Sequence, residues 1–164
     1  MSEDELVVRE DDLEWQSYEP DEGHGFRRKQ LGAAAGSEDL GVSRYSVDPG
    51  KETWHRHYHT GNEEGLYVLD GGGLLTLGPD GTEIELEAGT YAAFPADERG
   101  THGIRAGEDG LEMLVFSTMN EPDVAVYPDE DMVGLFVGSP PGGDSNKRTL
   151  PGFLDIDSER DYWE

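Results

Sequence analysis

From Leu40 to Thr118 the chain consists of short apolar runs separated by glycine-containing turns. Within the runs apolar and polar residues alternate, as at 82–87, where Ile84 and Leu86 stand between glutamates. Alternation with a period of two is typical of strands buried on one face, and closely spaced turns are typical of all-β sandwiches and barrels. No segment carries a sustained apolar stripe with the helical period. The pattern therefore predicts an all-β fold with little helix.

The apolar runs predict eight strands in this part of the chain, near 41–47, 53–59, 64–70, 73–77, 82–87, 91–95, 101–105 and 111–118. Glycine-rich segments between them predict turns, including one at Gly71–Gly73 and one at 107–110. Beyond Met119, further alternating segments predict two or three additional strands. Exposed apolar strands usually pair with a partner edge, so we expect a homodimer.

The chain divides into three predicted parts. Residues 1–38 are acidic and polar, and we expect them to form an N-terminal arm that packs on the barrel or on a partner. Residues 39–120 are predicted to form the barrel, and residues 121–164 a C-terminal β extension. A length of 164 residues fits a single domain of this kind.

Composition narrows the function. The chain has 37 acidic and 12 basic residues, a formal net charge of −25. Such a surface repels phosphate backbones, which argues against nucleic-acid binding. The absence of cysteine excludes disulfides, thiol nucleophiles and cysteine-bound zinc, so any metal must be held by nitrogen and oxygen. No apolar run is long enough for a membrane span, and no signal segment is recognised, so a cytoplasmic location is expected.

The acidic excess favours a protein adapted to a high-salt cytosol, where screening lengths of a few ångströms suppress self-repulsion. Regular apolar alternation among the acids argues for a folded chain rather than a disordered one. We expect the far-UV circular dichroism of the protein to collapse on dialysis to low salt without divalent metal. Retention of the full spectrum there would contradict the halophilic interpretation.

The highest density of potential metal-ligating side chains is at residues 55–64, where His55, His57 and His59 alternate with other residues and two glutamates follow. In an extended strand alternate side chains share a face, with Cα atoms about 6.6 Å apart. Imidazoles at this spacing can converge on one ion, whose bonds to nitrogen are about 2 Å long. Another histidine, His102, lies downstream. The pattern indicates a metal site.

Two spacing patterns surround these histidines. In the first, His57 and His59 are followed after four residues by Glu64, which precedes Gly71 by six intervening residues. Gly50 precedes His55 by four and His57 by six intervening residues, so no glycine precedes either histidine by five intervening residues.

The second pattern begins at Gly89, which is followed after five residues by Pro95 and after six more by His102. Together the two blocks resemble the two signature motifs of the cupin superfamily, over roughly residues 39–120. Proline and histidine are usually four residues apart in cupins, so the turn before His102 is expected to be longer here. Ala106 stands where cupins often have asparagine.

The resemblance implies a cupin-type jelly-roll β-barrel. It also implies a metal site made of two histidines and a glutamate from the first motif and one histidine from the second: His57, His59, Glu64 and His102. Such a ligand set suits divalent Fe, Mn, Ni, Cu or Zn, and affinity order alone does not select among them.

Three assignments need separate interpretation: the choice between the two glutamates, the role of His55 and the role of His24. Glu64 rather than Glu63 has the cupin spacing to Gly71, and strand parity would turn Glu63 to the opposite face. His55 shares a face with the other histidines and is a possible ligand, an outer partner of the site or a substrate contact at the barrel mouth. His24 is interpreted as a surface histidine without partners in the polar arm.

Open positions on the ion would allow a bidentate small organic substrate or dioxygen to bind. The leading hypothesis is therefore a metal-dependent enzyme of the dioxygenase type acting on a small organic molecule. One alternative is a non-catalytic module that binds metal or senses a small ligand. Another is a metal-assisted sugar isomerase or epimerase, for which Tyr45, Tyr91 and Arg44 are candidate acid, base or binding groups. Fold alone does not choose among these.

Overall fold

The computed structural model describes residues 2–150 and 152–164. Its strands are β1 (Gln16–Tyr18), β2 (Phe26–Gln30), β3 (Leu40–Val47), β4 (Tyr58–His59), β5 (Glu64–Leu77), β6 (Thr82–Glu87), β7 (Tyr91–Phe94), β8 (His102–Thr118), β9 (Asp123–Tyr127), β10 (Met132–Phe136) and β11 (Phe153–Asp155). One short helix, α1 (Leu31–Ala34), follows β2. Single 3₁₀ turns occupy Glu3–Leu6, Glu10–Asp12, Glu98–Gly100, Ser145–Lys147 and Ile156–Ser158. The predicted all-β class is confirmed.

Two antiparallel sheets form the jelly roll. Seven strands make the larger sheet, in the order β1-β2-β3-β8-β5-β6, and β7 pairs with β5 on the edge opposite β8, in line with β6. Four strands make the smaller sheet, in the order β11-β10-β9-β4. Buried apolar side chains of the larger sheet, among them Leu66, Val68 and Met113, form the core. Leu66 and Val68 alternate with exposed Tyr67 and Leu69, which is the period-two pattern of a strand with one buried face.

The central pair β5 and β8 is longer than the sequence pattern predicted. The expected turns at Gly71–Gly73 and 107–110 are wrong, because the backbone continues through both and bends at shifts in register. A Cβ at Gly73 would lie 2.1 Å from the carbonyl oxygen of Arg105, on β8. These glycines therefore allow two continuous strands to approach closely, where the sequence suggested that they reverse the chain.

The predicted strand at 53–59 is also shorter than expected, since only Tyr58–His59 forms a strand. The residues before it make isolated bridges instead: Glu52 with His24 and Arg105, and His57 with His102. Pairing partners at this point come from several different segments, so no single neighbouring strand extends the ladder.

The end segments contribute to both sheets. Residues 16–30 of the predicted arm supply β1 and β2 at the edge of the larger sheet. Trp15 covers the outer face of β2, with the Lys29 ammonium 4.7 Å from its ring centroid. The two to three strands expected beyond Met119 are β9, β10 and β11, which confirms that expectation. The three-part division of the chain remains a prediction.

Within the described residues the longest helix has four residues, and none is long and apolar enough to cross a bilayer.

Candidate metal centre

Pairing between two distant segments creates the centre of the site. The backbone N–H of His57 donates to the carbonyl of His102 at 3.1 Å, and the N–H of His102 donates back to His57 at 2.9 Å. This reciprocal pair places the two imidazoles side by side, with ring centroids 4.8 Å apart. Glu64, the first residue of β5, faces them. One ligand atom from each of His57, Glu64 and His102 lies within 4.8 Å of the other two.

His59 reaches the same carboxylate from the smaller sheet. Its Nε2 lies 3.4 Å from Oε2 of Glu64, and Nε2 of His102 lies 3.5 Å from the same oxygen. His59 is not part of the tight group of three, but its free nitrogen points to the carboxylate at the centre of that group. All three histidines are buried.

The other ring nitrogen of each histidine is bonded to an oxygen. Nδ1 of His57 donates to the carbonyl of His55 at 2.7 Å, and Nδ1 of His102 donates to the carbonyl of Gly100 at 2.8 Å. A carbonyl can only accept, so in the neutral rings the proton sits on Nδ1 and the lone pair on Nε2. Fixed tautomers of this kind are typical of metal-ligating histidines.

Asp123 is the site residue that sequence reasoning missed. It lies at the start of β9, fully buried, and its Oδ2 accepts from Nδ1 of His59 at 2.6 Å. Its Oδ1 accepts from the N–H of Gly61 at 2.8 Å. Asp123 has the same strand parity as Ala125, which is completely buried, but the sequence alone did not indicate which face of this strand is buried. An acid at an inward position needs a partner, and His59 is that partner.

Burial sets the protonation of two histidines. It is the main reason that the pKa of His57 falls well below its ordinary value, and the neighbouring His102 and His59 lower it further. Burial likewise lowers the pKa of His102, against the opposing effect of Glu64. Both imidazoles are therefore neutral at neutral pH, and the neutral ring is the form that binds a metal.

His59 responds differently because two carboxylates surround it. Burial alone would lower the pKa of His59, but Glu64 and the hydrogen-bonded Asp123 together raise it. The pKa of Asp123 is lowered even though burial acts to raise it, since His59, Asn62 and the N–H of Gly61 all hydrogen-bond the carboxylate. Asp123 is thus an ionised partner that orients His59.

His55 and His24 lie outside this centre. The His55 side chain is 49% exposed, and its Nδ1 is 3.2 Å from Oε1 of Glu130. Its ring also packs edge-on against that of His24, with centroids 4.7 Å apart. The expectation that His24 has no partner is wrong, because His24 also bonds Asp21 at 3.0 Å. Both histidines belong to a separate polar cluster near the surface.

The two adjacent glutamates point in opposite directions. Glu64 is 15% exposed and faces the histidines, whereas Glu63 is exposed and uses its backbone N–H to bond the Thr118 hydroxyl at 3.1 Å. Side chains alternate between the two faces of a strand, so Glu64 faces inward and Glu63 faces outward, as the sequence predicted.

Aromatic rings line the site. Phe94 stacks on His102 at a centroid distance of 3.8 Å, and Tyr127 stacks on His57 at 5.3 Å. Burial raises the pKa of Tyr127 to about 12, with Glu64, Asp123 and Glu130 adding to the rise. The Tyr127 phenol therefore keeps its proton and offers a hydrogen-bond donor at the wall of the site.

Only one of the three groups considered for acid, base or binding roles lies inside the fold. Tyr45 is buried, and burial is the main cause of its raised pKa. Tyr91 is 60% exposed on β7. Arg44 is engaged elsewhere, since its guanidinium lies 2.7 Å from Glu112 and 3.4 Å from Glu10. Tyr91 and Arg44 are therefore poor candidates for contact with a substrate.

The donor set fits a divalent transition metal ion. Lone pairs on imidazole Nε2 atoms and one carboxylate oxygen converge, and oxygen acceptors fix the histidine tautomers from behind. Imidazole with carboxylate is a ligand combination used for Zn, Cu, Fe and Ni. A buried group of this polarity inside a double-sheet β fold defines a class of protein, the small β proteins that are able to hold a metal within the barrel.

Comparison with known proteins identifies the family within this class. Residues 43–119 match the family described as Cupin domain. A comparison with curated proteins gave no match. Residues 43–119 belong to the cupin superfamily, as the two motifs predicted, and among the solved structures that the chain resembles are proteins described as cupins.

Two of the similar solved structures match nearly the whole chain. A protein from Silicibacter pomeroyi, described as a sugar phosphate isomerase from a cupin superfamily, is 26% identical with a TM-score of 0.75, over 93% of this chain and 94% of that chain. A protein from Acidithiobacillus ferrooxidans, provisionally described as a sugar phosphate isomerase, is 23% identical with a TM-score of 0.75, over 98% of both chains. KdgF from Halomonas sp. is 26% identical with a TM-score of 0.54, over 69% of this chain and 94% of that chain.

Proposed function

We propose that the chain is a metal-dependent enzyme that interconverts isomers of a small phosphorylated sugar. His57, His59, Glu64 and His102 would hold one divalent ion of Fe, Mn, Ni, Cu or Zn. The observation that carries the proposal is the buried group of imidazoles and one carboxylate, in which the oxygen-bonded Nδ1 atoms leave Nε2 free. Asp123 would orient His59, as outer carboxylates do for metal-ligating histidines.

The choice of substrate class is supported by the Silicibacter pomeroyi structure. That protein is described as a sugar phosphate isomerase, and the match includes the arm and the C-terminal extension as well as the barrel. The C-terminal extension supplies Asp123 and Tyr127, so it contributes to the site and does not merely decorate the fold. A likeness that covers these residues is therefore more informative than one confined to the barrel.

Isomerisation suits the groups around the candidate metal centre. An aldose and its ketose contain the same atoms, so the reaction moves one hydrogen from C2 to C1 and one proton from the C2 oxygen to the C1 oxygen, and needs no external oxidant. A bound divalent ion would supply Lewis-acid polarisation of the substrate oxygens. The Tyr127 hydroxyl, kept protonated by burial, would donate a hydrogen bond to a substrate oxygen. Leu66 and Phe94, both buried beside Glu64 and His102, would exclude water from this space.

The test is an assay on metal-loaded protein with a panel of aldose phosphates and the matching ketose phosphates, followed by ¹³C nuclear magnetic resonance under nitrogen. We expect conversion with one pair at least, and a loss of about 1,000-fold in Glu64→Gln because the carboxylate is removed from the centre. Glu63→Gln is the matched control, since Glu63 is the adjacent acid and faces outward.

Other outcomes would favour the remaining hypotheses. Metal-dependent oxygen uptake with small diols or phenols, without isomerisation, would support the dioxygenase, which stays a prediction from the sequence. Ligand binding without turnover would support a binding or sensing module.

We also propose a homodimer, adaptation to high salt and a cytoplasmic location. A homodimer is consistent with the exposed apolar side chains of the C-terminal segment, where Phe153 is 56% exposed and Trp163 is 88% exposed. Adaptation to high salt is consistent with the net charge of −25. A cytoplasmic location is proposed on the same ground, because a strongly acidic surface suits a high-salt cytosol.

A further inference from the structure

Arginines are few in this acidic protein, and in the described residues two of the four that are partly buried pair with a carboxylate. Arg44 lies between Glu10 and Glu112, and Arg56 lies 3.1 Å from Asp129. Surplus acid makes such pairing easy to achieve, because acidic residues outnumber basic ones by 37 to 12. With acid in such surplus, a partly buried arginine that lacks a carboxylate partner needs a reason.

Two partly buried arginines, Arg28 and Arg148, form no ion pair with any carboxylate in residues 2–150 and 152–164. The Nε atom of each is buried and has no hydrogen-bond partner in that part of the chain. Each guanidinium carries five N–H donors in a planar fork. Neutral groups occupy some of these donors, a tyrosine hydroxyl at Arg28 and the Pro140 carbonyl at Arg148, and no carboxylate in the described residues neutralises either charge.

Arg148 stands close to the wall of the metal centre. Its guanidinium carbon is 4.7 Å from the ring centroid of Phe136, and that ring is 6.4 Å from the ring of His59. One N–H donates to the carbonyl of Pro140 at 3.2 Å, which fixes the loop that carries it. The positive charge of Arg148 also opposes the rise in the pKa of Tyr127, as expected for a neighbouring cation.

Arg28 lies on the inward face of β2. Its register partner on β3 is Tyr45, which pairs in turn with Met113 on β8, and both partners are buried. The guanidinium donates to the Tyr18 hydroxyl at 2.7 Å and stacks over that ring, with the carbon 5.0 Å from the centroid. Two aromatic neighbours therefore hold Arg28 in place without neutralising its charge.

A hydrogen bond joins the two segments that carry these arginines. Gln30 is two residues beyond Arg28 on the same face of β2, and its Nε2 donates to the carbonyl of Gly142 at 2.6 Å. Gly142 belongs to the loop between β10 and β11 that also carries Arg148. The loop thus lies against the end of β2, and the segments that carry Arg28 and Arg148 meet there.

We propose, on the basis of the proposed function, that Arg28 and Arg148 bind the phosphate group of the substrate. Guanidinium groups match phosphate oxygens with paired N–H donors, which makes arginine suited to this role. Two cations at one side and a metal centre at the other would orient the sugar so that its carbonyl end meets the ion. In a protein with this net charge, the pair would also offset the general repulsion of an anionic substrate.

The proposal is tested by titrating metal-loaded protein with inorganic phosphate in a calorimeter, using Arg148→Met and Arg28→Met. We expect each substitution to weaken phosphate binding by about 10- to 100-fold, the range for hydrogen bonds to a charged group. Arg160→Met is the matched control, because Arg160 is exposed in the C-terminal segment and should leave binding unchanged. Arg148→Lys keeps the charge but loses the fork, so binding should fall less than in Arg148→Met.

Metal content and far-UV circular dichroism of every variant are measured alongside the titrations. Phosphate affinity equal to the parent's in both methionine variants, with metal content intact, would overturn the assignment. The isomerase assay is read separately. Absence of isomerisation with arginine-dependent phosphate binding would reject the proposed reaction while retaining the anion site. Isomerisation with phosphate binding that does not depend on the arginines would retain the proposed reaction and reject the anion site.

Discussion

Replacing His57 by alanine should lower the affinity for a divalent transition metal by at least about 100-fold, more than the loss of an outer partner costs. His57 is buried beside His102 and Glu64, and its Nε2 is the nitrogen left free by the bond from Nδ1 to the carbonyl of His55. Removing it leaves a smaller and more asymmetric ligand set. Metal content after gel filtration and calorimetric titration of metal into metal-free protein measure the effect.

The matched control for this substitution is His55→Ala, two residues earlier. His55 is half exposed and points to Glu130, so its removal should change metal affinity by less than about threefold, as expected for a surface position outside the ligand set. Equal losses in the two variants would mean that His55 takes part in binding. Unchanged metal affinity in His57→Ala would contradict the metal centre as described.

Replacing Gly73 by alanine should destabilise the fold by about 3 kcal/mol, the upper end of the usual cost of overpacking. The added Cβ would lie 2.1 Å from the carbonyl oxygen of Arg105, and a backbone atom cannot rotate out of the way as a side chain can. For a chain of this size we expect the midpoint of thermal unfolding to fall by about 10 °C. Differential scanning calorimetry in high salt measures the shift.

Gly152→Ala provides the comparison for Gly73→Ala. A Cβ at Gly152 meets no atom within 4 Å, so the same chemical change should shift the midpoint by no more than about 2 °C. A shift of that small size in Gly73→Ala would show that β5 and β8 separate at this point in solution, contrary to the described pairing.

Several features of the site were predictable from local sequence. The choice of Glu64 over Glu63 needs only strand parity, and the structure places the first inward and the second outward. His57 and His59 could be recognised as chemistry from their alternate spacing. Local rules suffice in these cases because the direction of a side chain along a strand depends on the strand alone.

Other features depended on contacts between distant segments. His55 has the same spacing as its neighbours, but the chain is not extended there, and the ring turns toward His24. Asp123 becomes part of the site only because β9 pairs with β4. The glycines at 71–73 have turn composition, yet the approach of β8 demands them within a continuous strand. The residue type limits which local conformations are possible, whereas pairing with distant segments determines which of them the chain adopts.

By itself, the order of residues determined an all-β cupin with a histidine and glutamate site, because periodicity and motif spacing are properties of the chain. Tertiary structure alone decided that His57 and His102 pair, that Asp123 holds His59, and that Arg28 and Arg148 remain without carboxylate partners in the described residues. These facts depend on which strands and loops meet across the barrel. Long-range contacts of that kind leave no periodic trace in any one segment.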